Sequence, residues 1–155
     1  MSAPFLIFGA TGGVGSALAS KLNAKGLPLV LTGRDEEALS NSADQLGARH
    51  LVGDVTRDDD LTRIVEQATT DDGLAGLAYC VGSIDLKPLR RITAEDLLVA
   101  FQLNAVAAAL AIQKAAPALK KAKGSVVLFS TIAVDQGFTN HAIVSAAKGA
   151  VEGLG

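Results

Sequence analysis

The sequence contains one cysteine, one methionine, one tyrosine and no tryptophan, and aromatic residues fill only 4% of its 155 positions. Cys80 has no second thiol to join, which excludes an internal disulfide; its apolar neighbours suit a buried, inert thiol in a reducing compartment. With so few aromatics, the core must be built from Ala, Val, Leu and Ile. An excess of either charge is also missing: 14 Lys and Arg stand against 16 Asp and Glu, a net charge of −2. That excludes a basic nucleic-acid surface, and no aromatic-plus-basic cluster restores one. Charged residues make up 19% and apolar residues 49%, a balance that excludes disorder. The length suits one domain with a real core better than two, and no linker, repeat or low-complexity tract divides it. A long hydrophobic run is lacking as well. The segment from Ala105 to Ala118 is broken by Gln113, Lys114 and Pro117 and reads as too short to span a bilayer. No basic n-region precedes the first apolar run, so no signal peptide is expected. A soluble, cytoplasmic chain without membrane or nucleic-acid partners and without a metal site is the expectation.

What is abundant is glycine, and four glycines fall close together near the start. Phe5-Leu-Ile-Phe8 reads as a buried strand, since a parallel strand covered on both faces need not alternate. Gly9, Gly12, Gly13 and Gly15 follow, and Val14, Leu18 and Leu22 then recur at helical spacing. A strand, a glycine turn and a helix place free backbone N–H groups and a positive helix end against a phosphate. Glycine is required because a Cβ would block the tight turn and the approach of a pyrophosphate. No Gly-Lys-Ser/Thr closes the run, so it is not a P-loop and suits a dinucleotide better than phosphoryl transfer.

Strand and helix alternate along the rest of the chain. Leu29–Thr32 is a second strand, and a helix starts near Asp35-Glu36-Glu37. Residues 49–53 form a third strand ending in Asp54-Val55-Thr56. Behind Asp58–Asp60, Leu61, Ile64, Val65 and Ala68 form an i, i+3, i+4, i+7 stripe. A fourth strand covers Leu74 to Val81 and is closed by Gly82. Thr93-Ala-Glu-Asp96 has the pattern of an N-cap with an acidic first turn, opening a long alanine-rich helix toward Pro117. An apolar helix of this kind is expected to be buried on two faces. Ser125–Ser130 is a fifth strand, and a last helix starts near Thr139 or Asn140. The alternation predicts a doubly wound parallel sheet of order 3-2-1-4-5 with helices on both faces and right-handed crossovers, with ligands bound beyond the carboxyl ends of the strands.

At this point the sequence resembles the short-chain dehydrogenase/reductase family along its whole length. Gly9-x-x-x-Gly13-x-Gly15 matches that family's cofactor turn, with Gly12 and Val14 inside it, Thr11 offering a hydroxyl to phosphate, and Phe8 where threonine is more usual. Arg34, after strand two, falls where a basic residue would bind the 2′-phosphate of NADP; Asp35 leaves NAD open as an alternative. The resemblance further implies that Asp54 and Val55 meet the adenine, that Gly82 passes close to the cofactor, and that Asn104 is the family's helix asparagine. Tyr79-Cys80-Val81 departs from the family's asparagine-rich version before that glycine.

The family's chemistry rests on Ser, Tyr and Lys: a tyrosine hydroxyl beside a lysine ammonium exchanges a proton with the substrate oxygen while hydride moves. By resemblance Lys148 is the lysine, and Thr131, with Ser130 beside it, stands at the serine position. The tyrosine position is Val144. Three readings stay open. His141, seven residues before Lys148, could share a helix face with it and act as a surrogate acid, or a water or substrate proton could suffice; the chain could bind cofactor without turnover, as a sensor or scaffold; or a reductase could work through Thr131 and Lys148 with a replaced acid. The sequence stops at Gly155 inside the last matching helix, where family members continue. Either a truncated chain or a minimal version with an open substrate side is expected, the first favoured because the sheet edge would otherwise be uncovered. Substrate identity is not legible. The alanine-rich and last helices resemble the family's dimer surface, which implies a homo-oligomer acting on a small-molecule carbonyl or alcohol with NADP(H).

Overall fold

In the computed structural model, which describes residues 2–155, Phe5–Phe8 is the central strand β1, and Leu6, Ile7 and Phe8 have no exposed surface. It pairs in parallel with β2 (Leu29–Gly33) on one side and β4 (Gly76–Tyr79) on the other, while β3 (Arg49–Val52) pairs with β2 and β5 (Ser125–Leu128) lies beyond β4. The order is β3-β2-β1-β4-β5, as the alternation of elements predicts. The register is set by Phe5 opposite Leu29 and Gly76. Strands three to five are shorter than expected: pairing ends at Val52, spans only Gly76 to Tyr79, and stops at Leu128. Apolar residues flank β4 and β5 outside the strands, at Leu74, Ala75, Cys80, Val81 and Phe129, so composition overstates their length.

The chain forms two compact units. The first runs to Cys80 and includes Leu110–Val127. Within it, α1 (Gly13–Asn23), α2 (Glu36–Leu46) and α3 (Asp58–Ala68) accompany the strands. The face of α1 differs from the expected one. Gly15 and Ala19 are its buried positions, Leu18 and Leu22 pack at the edge of the core, and Val14 is 51% exposed. Asp35 caps α2 by accepting from the Ala38 amide at 3.0 Å, and Gly47 ends the helix in a left-handed conformation that glycine adopts at low cost. The α3 stripe of Leu61, Ile64, Val65 and Ala68 is buried as the spacing predicts.

The second unit comprises Val81–Ala109 and Leu128–Gly155. A complete capping box opens α4 (Ala94–Phe101): Thr93 accepts from the Asp96 amide and Asp96 accepts from the Thr93 amide. The helical run then passes through a π-helical segment, Gln102–Val106, before α5 (Ala107–Ala122). Among the helices of this unit, Ala100 packs with Ile143 and Ala147 of α6 (Ala142–Glu152). The last helix therefore starts two or three residues later than expected. The expectation of burial on two faces fails for α4, where Leu98 and Val99 are 70% and 61% exposed.

Counted as one run, Ala94–Ala122 is 29 residues long, with a mean hydropathy of 1.5 in its most apolar stretch. By length and composition alone that is enough to cross a membrane, so the expectation built on residues 105–118 underestimated the helix. Ala107, Ala111, Ala115 and Leu119 recur at i, i+4 spacing and are buried, and this accounts for part of its apolar character without a bilayer.

Candidate active site

The first unit carries the glycine turn. Gly9 has φ of +75°, a left-handed value that glycine tolerates. The turn is fastened to the end of β2, because the Gly9 and Ala10 amides both donate to the Thr32 carbonyl, at 3.0 and 2.9 Å. Gly12 donates to the Gly9 carbonyl at 3.1 Å and stands at the cap of α1, where no side chain caps the helix and no acidic residue lies in the first turn. The amides that open α1 are thus left for an acceptor, beside the positive end of the helix. A Cβ on Gly13 would meet nothing within 4 Å, so the mouth is open. Gly15 has the opposite role: its Cβ would lie 2.2 Å from the Gly9 carbonyl oxygen. That glycine lets the helix close onto the turn. An open mouth, uncapped amides and no competing carboxylate fit the diphosphate of a dinucleotide.

Other expected cofactor residues fall as follows. Thr11 is exposed, with its hydroxyl 3.6 Å from the point where a Gly33 Cβ would sit. Arg34 is exposed after β2, whereas the Asp35 carboxylate is committed to capping α2. Asp54 accepts at Oδ1 from the Thr56 amide at 2.9 Å and from its hydroxyl at 2.8 Å. These bonds hold its carboxyl below the usual range, and the Arg34 guanidinium pulls in the same direction. Val55 is 6% exposed, so its side chain belongs to the core and only its backbone could face a ligand. Phe8 packs against Tyr79 with ring centroids 5.8 Å apart; burial pushes the Tyr79 phenol well above its ordinary value and the Cys80 thiol up to about 11.

In the second unit three expected residues come together. A Cβ on Gly82 would lie 2.8 Å from Asn104 Oδ1 and 3.2 Å from Lys148 Nζ. Asn104 is 1% exposed in the π-helical segment. Its Nδ2 donates to the Ala100 carbonyl at 2.9 Å and to the Ser83 hydroxyl at 3.4 Å, but its Oδ1 is buried without a hydrogen-bond partner. An orphaned buried carbonyl costs about 1–3 kcal/mol, and π-bulges concentrate at functional sites. Lys148 is half-buried on α6, and desolvation lowers its pKa.

The remaining candidates are engaged differently. Ser130 is exposed and donates to the Glu152 carboxylate, while Thr131 Oγ1 accepts from the Ala133 amide at 3.3 Å. Ser145 Oγ on α6 donates to the Ala133 carbonyl at 2.8 Å. His141 stands at the cap of α6, before its first turn; the ring packs on Phe138 and its Nδ1 lies 2.7 Å from the Thr139 carbonyl. It therefore belongs to the preceding loop and does not share a helical face with Lys148, as the seven-residue spacing implied. Val144 is 3% exposed and offers no proton. Among the described residues, no group of three or more His, Cys, Asp or Glu is placed to hold a metal ion.

Residues 9–155 match the family model described as Enoyl-(Acyl carrier protein) reductase. The chain belongs to the short-chain dehydrogenase/reductase family. Carbonyl reductase family member 4 of Danio rerio is 25% identical over 158 residues, covering 99% of this chain and 67% of that protein. The 3-oxoacyl-(acyl-carrier-protein) reductase of Bos taurus is 26% identical over 96% of this chain and 64% of its own length. A short-chain type dehydrogenase/reductase structure from Mycobacterium ulcerans superposes with a TM-score of 0.91 at 24% identity, over 99% of this chain and 61% of that one. A short-chain oxidoreductase structure from Thermus thermophilus is 29% identical, with a TM-score of 0.85 and coverage of 97% and 69%. This short-chain dehydrogenase/reductase chain thus spans about three fifths to two thirds of the length of these relatives. The departures that the resemblance led one to expect, at Phe8, Tyr79-Cys80-Val81, Thr131 and Val144, all lie within the described residues.

Residues that the sequence did not single out also contribute. Ser83 carries the Asn104 amide, Glu152 takes up Ser130, and Asp60 and Arg63 brace the turn at Asp54. Only the last pair left a signal, an acid and a base at i, i+3 on a predicted helix.

Proposed function

We propose that this chain is an NADP(H)-binding oxidoreductase domain acting on a carbonyl or alcohol. The observation that carries the reading is the approach of Lys148 Nζ and the unpartnered Asn104 Oδ1 to the bare backbone of Gly82. An ammonium and a buried acceptor kept beside a glycine leave polar groups aimed at a surface with no side chain of its own. The names of the relatives, a carbonyl reductase and a ketoacyl reductase, agree with that chemistry.

When bound, the nicotinamide supplies or accepts the hydride. The chain would hold the diphosphate on the Gly13–Gly15 amides and the 2′-phosphate on Arg34, with Asp54 at the adenine and Lys148 at the nicotinamide ribose. Thr131 would hold the substrate oxygen by its hydroxyl. Lys148 would stabilise negative charge on that oxygen, and its lowered pKa eases release of a proton to it directly or through one water. With the His141 ring tied to Thr139, the lysine is the better candidate acid. The chain works in this reading as a single domain in a homo-oligomer, with the exposed Leu98 and Val99 of α4 at the subunit contact.

A second reading rests on Val144. A buried valine at the tyrosine position suits a domain that binds NADP(H) as a sensor or scaffold without turnover. NADPH oxidation across a panel of ketones and aldehydes separates the two. Consumption that Lys148→Ala abolishes supports the oxidoreductase; saturable NADPH binding with no consumption on any carbonyl supports the sensor.

A further inference from the structure

The turn expected to meet the adenine is held by a clasp from α3. Asp60 Oδ2 accepts from the backbone amide of Asp54 at 3.0 Å. Its other oxygen, Oδ1, accepts from Arg63 Nη2 at 2.7 Å, and the same Arg63 nitrogen donates to the Val52 carbonyl, also at 2.7 Å. Arg57 adds a looser ion pair at 3.8 Å from Asp60 Oδ2. One carboxylate and one guanidinium therefore grip the chain on both sides of Gly53. Gly53 itself makes room for the grip, because a Cβ there would lie 3.1 Å from Arg63 Nη2 and 3.3 Å from Asp60 Cβ. The Asp54 carboxylate is turned back onto Thr56 at the same place.

We infer that Asp60 and Arg63 are positioning residues for the adenine end of the cofactor, acting through the backbone of Val52 and Asp54. The inference rests on the proposal that this chain binds NADP(H). Charge-assisted hydrogen bonds to backbone groups are about twice as strong as neutral ones, and these two fix the last residue of β3 and the first residues after it. Burial of α3 is supplied by Leu61, Ile64, Val65 and Ala68 on its apolar face and needs neither polar group. Asp60 and Arg63 instead direct their polar atoms to the peptide groups flanking Gly53.

The test compares three ligands on the 155-residue protein by calorimetric titration: NADPH, adenosine 2′,5′-bisphosphate, and reduced nicotinamide mononucleotide, which lacks the adenine. Asp60→Ala is expected to weaken NADPH and the bisphosphate by a common factor of about tenfold and to leave the mononucleotide within about twofold. Asp60→Asn retains an acceptor for the Asp54 amide and should recover most of the loss. Arg63→Lys keeps the charge but cannot bond Asp60 and Val52 from one planar group, and should fall between. Equal loss for all three ligands, or none for the bisphosphate, overturns the inference, as does failure of Asp60→Asn to improve on Asp60→Ala. A parent protein that binds none of the three overturns the cofactor proposal itself, a result distinct from either. If Asp60→Ala does not fold, the Asp60→Asn and Arg63→Lys pair gives the same comparison.

Discussion

The glycine turn of the first unit and the Lys148 cluster of the second are built from different materials. The turn is almost entirely backbone: amides of Gly9, Ala10 and Gly12 bonded to carbonyls, with glycines wherever a Cβ would intrude. The cluster is made of side chains: Asn104 and Lys148 beside Gly82, with Ser83 on the Asn104 amide. In the first region the family pattern is kept through Gly13 and Gly15, and Phe8 changes only a flanking position. In the second, Val144 and Thr131 stand where the resemblance leads one to expect tyrosine and serine. A site made of backbone cannot be altered without altering the fold. Side-chain sites can lose a member while the fold stands.

Substitutions can break this comparison or sharpen it. The largest effect belongs to Gly15→Ala. The new methyl would meet backbone atoms, the Gly9 oxygen at 2.2 Å and Ala10 Cα at 2.9 Å, which cannot rotate away. Loss of about 3 kcal/mol or more of stability is expected by thermal unfolding, with NADPH binding lost as well. A variant that melts like the parent and still binds would show that the turn is not rigid.

Lys148→Ala comes next. It should slow NADPH-dependent carbonyl reduction by about a hundredfold or more while thermal stability holds, because desolvation makes the half-buried ammonium costly to the fold. Initial rates and a melting curve check both halves. Arg34→Ala should weaken NADPH by about tenfold and NADH by less than about twofold, as expected for loss of charge-assisted bonds to one phosphate. Equal losses for the two coenzymes would remove the phosphate role.

The smallest effect concerns neither site. Asp96 is held at a pKa of about 2 by its hydrogen bond to Lys87 and then by the Thr93 amide and hydroxyl. A depressed carboxylate stabilises the fold above its ordinary value of 3.8 and loses that contribution as pH falls toward 2. Asp96→Asn should therefore flatten the decline of the melting temperature between about pH 4 and pH 2 while leaving NADPH affinity unchanged.

The same contrast explains what could be read from the chain alone. The sheet order, the start of α2 near Asp35, the Thr93 cap and the α3 stripe were legible, because each follows from local spacing that the structure repeats. The glycine turn was legible for the same reason. The π-helical segment at Asn104 was not: a run of alanines carries no mark of where one extra residue enters a turn, and the packing of the folded unit decides it. His141 misled, because spacing says nothing about where a helix begins, and the ring lies against the carbonyl of Thr139, two residues before it. The exposed face of α4 also escaped a reading based on hydrophobicity. A run of Leu, Val and Phe looks buried whether or not this chain supplies the cover.

The most direct test of the account is titration of the 155-residue protein with NADPH and NADH by calorimetry. Saturable binding of both, tighter for NADPH and abolished by Gly15→Ala, is the predicted result. Traces that stay flat for both coenzymes, on a protein shown by melting to be folded, would contradict it.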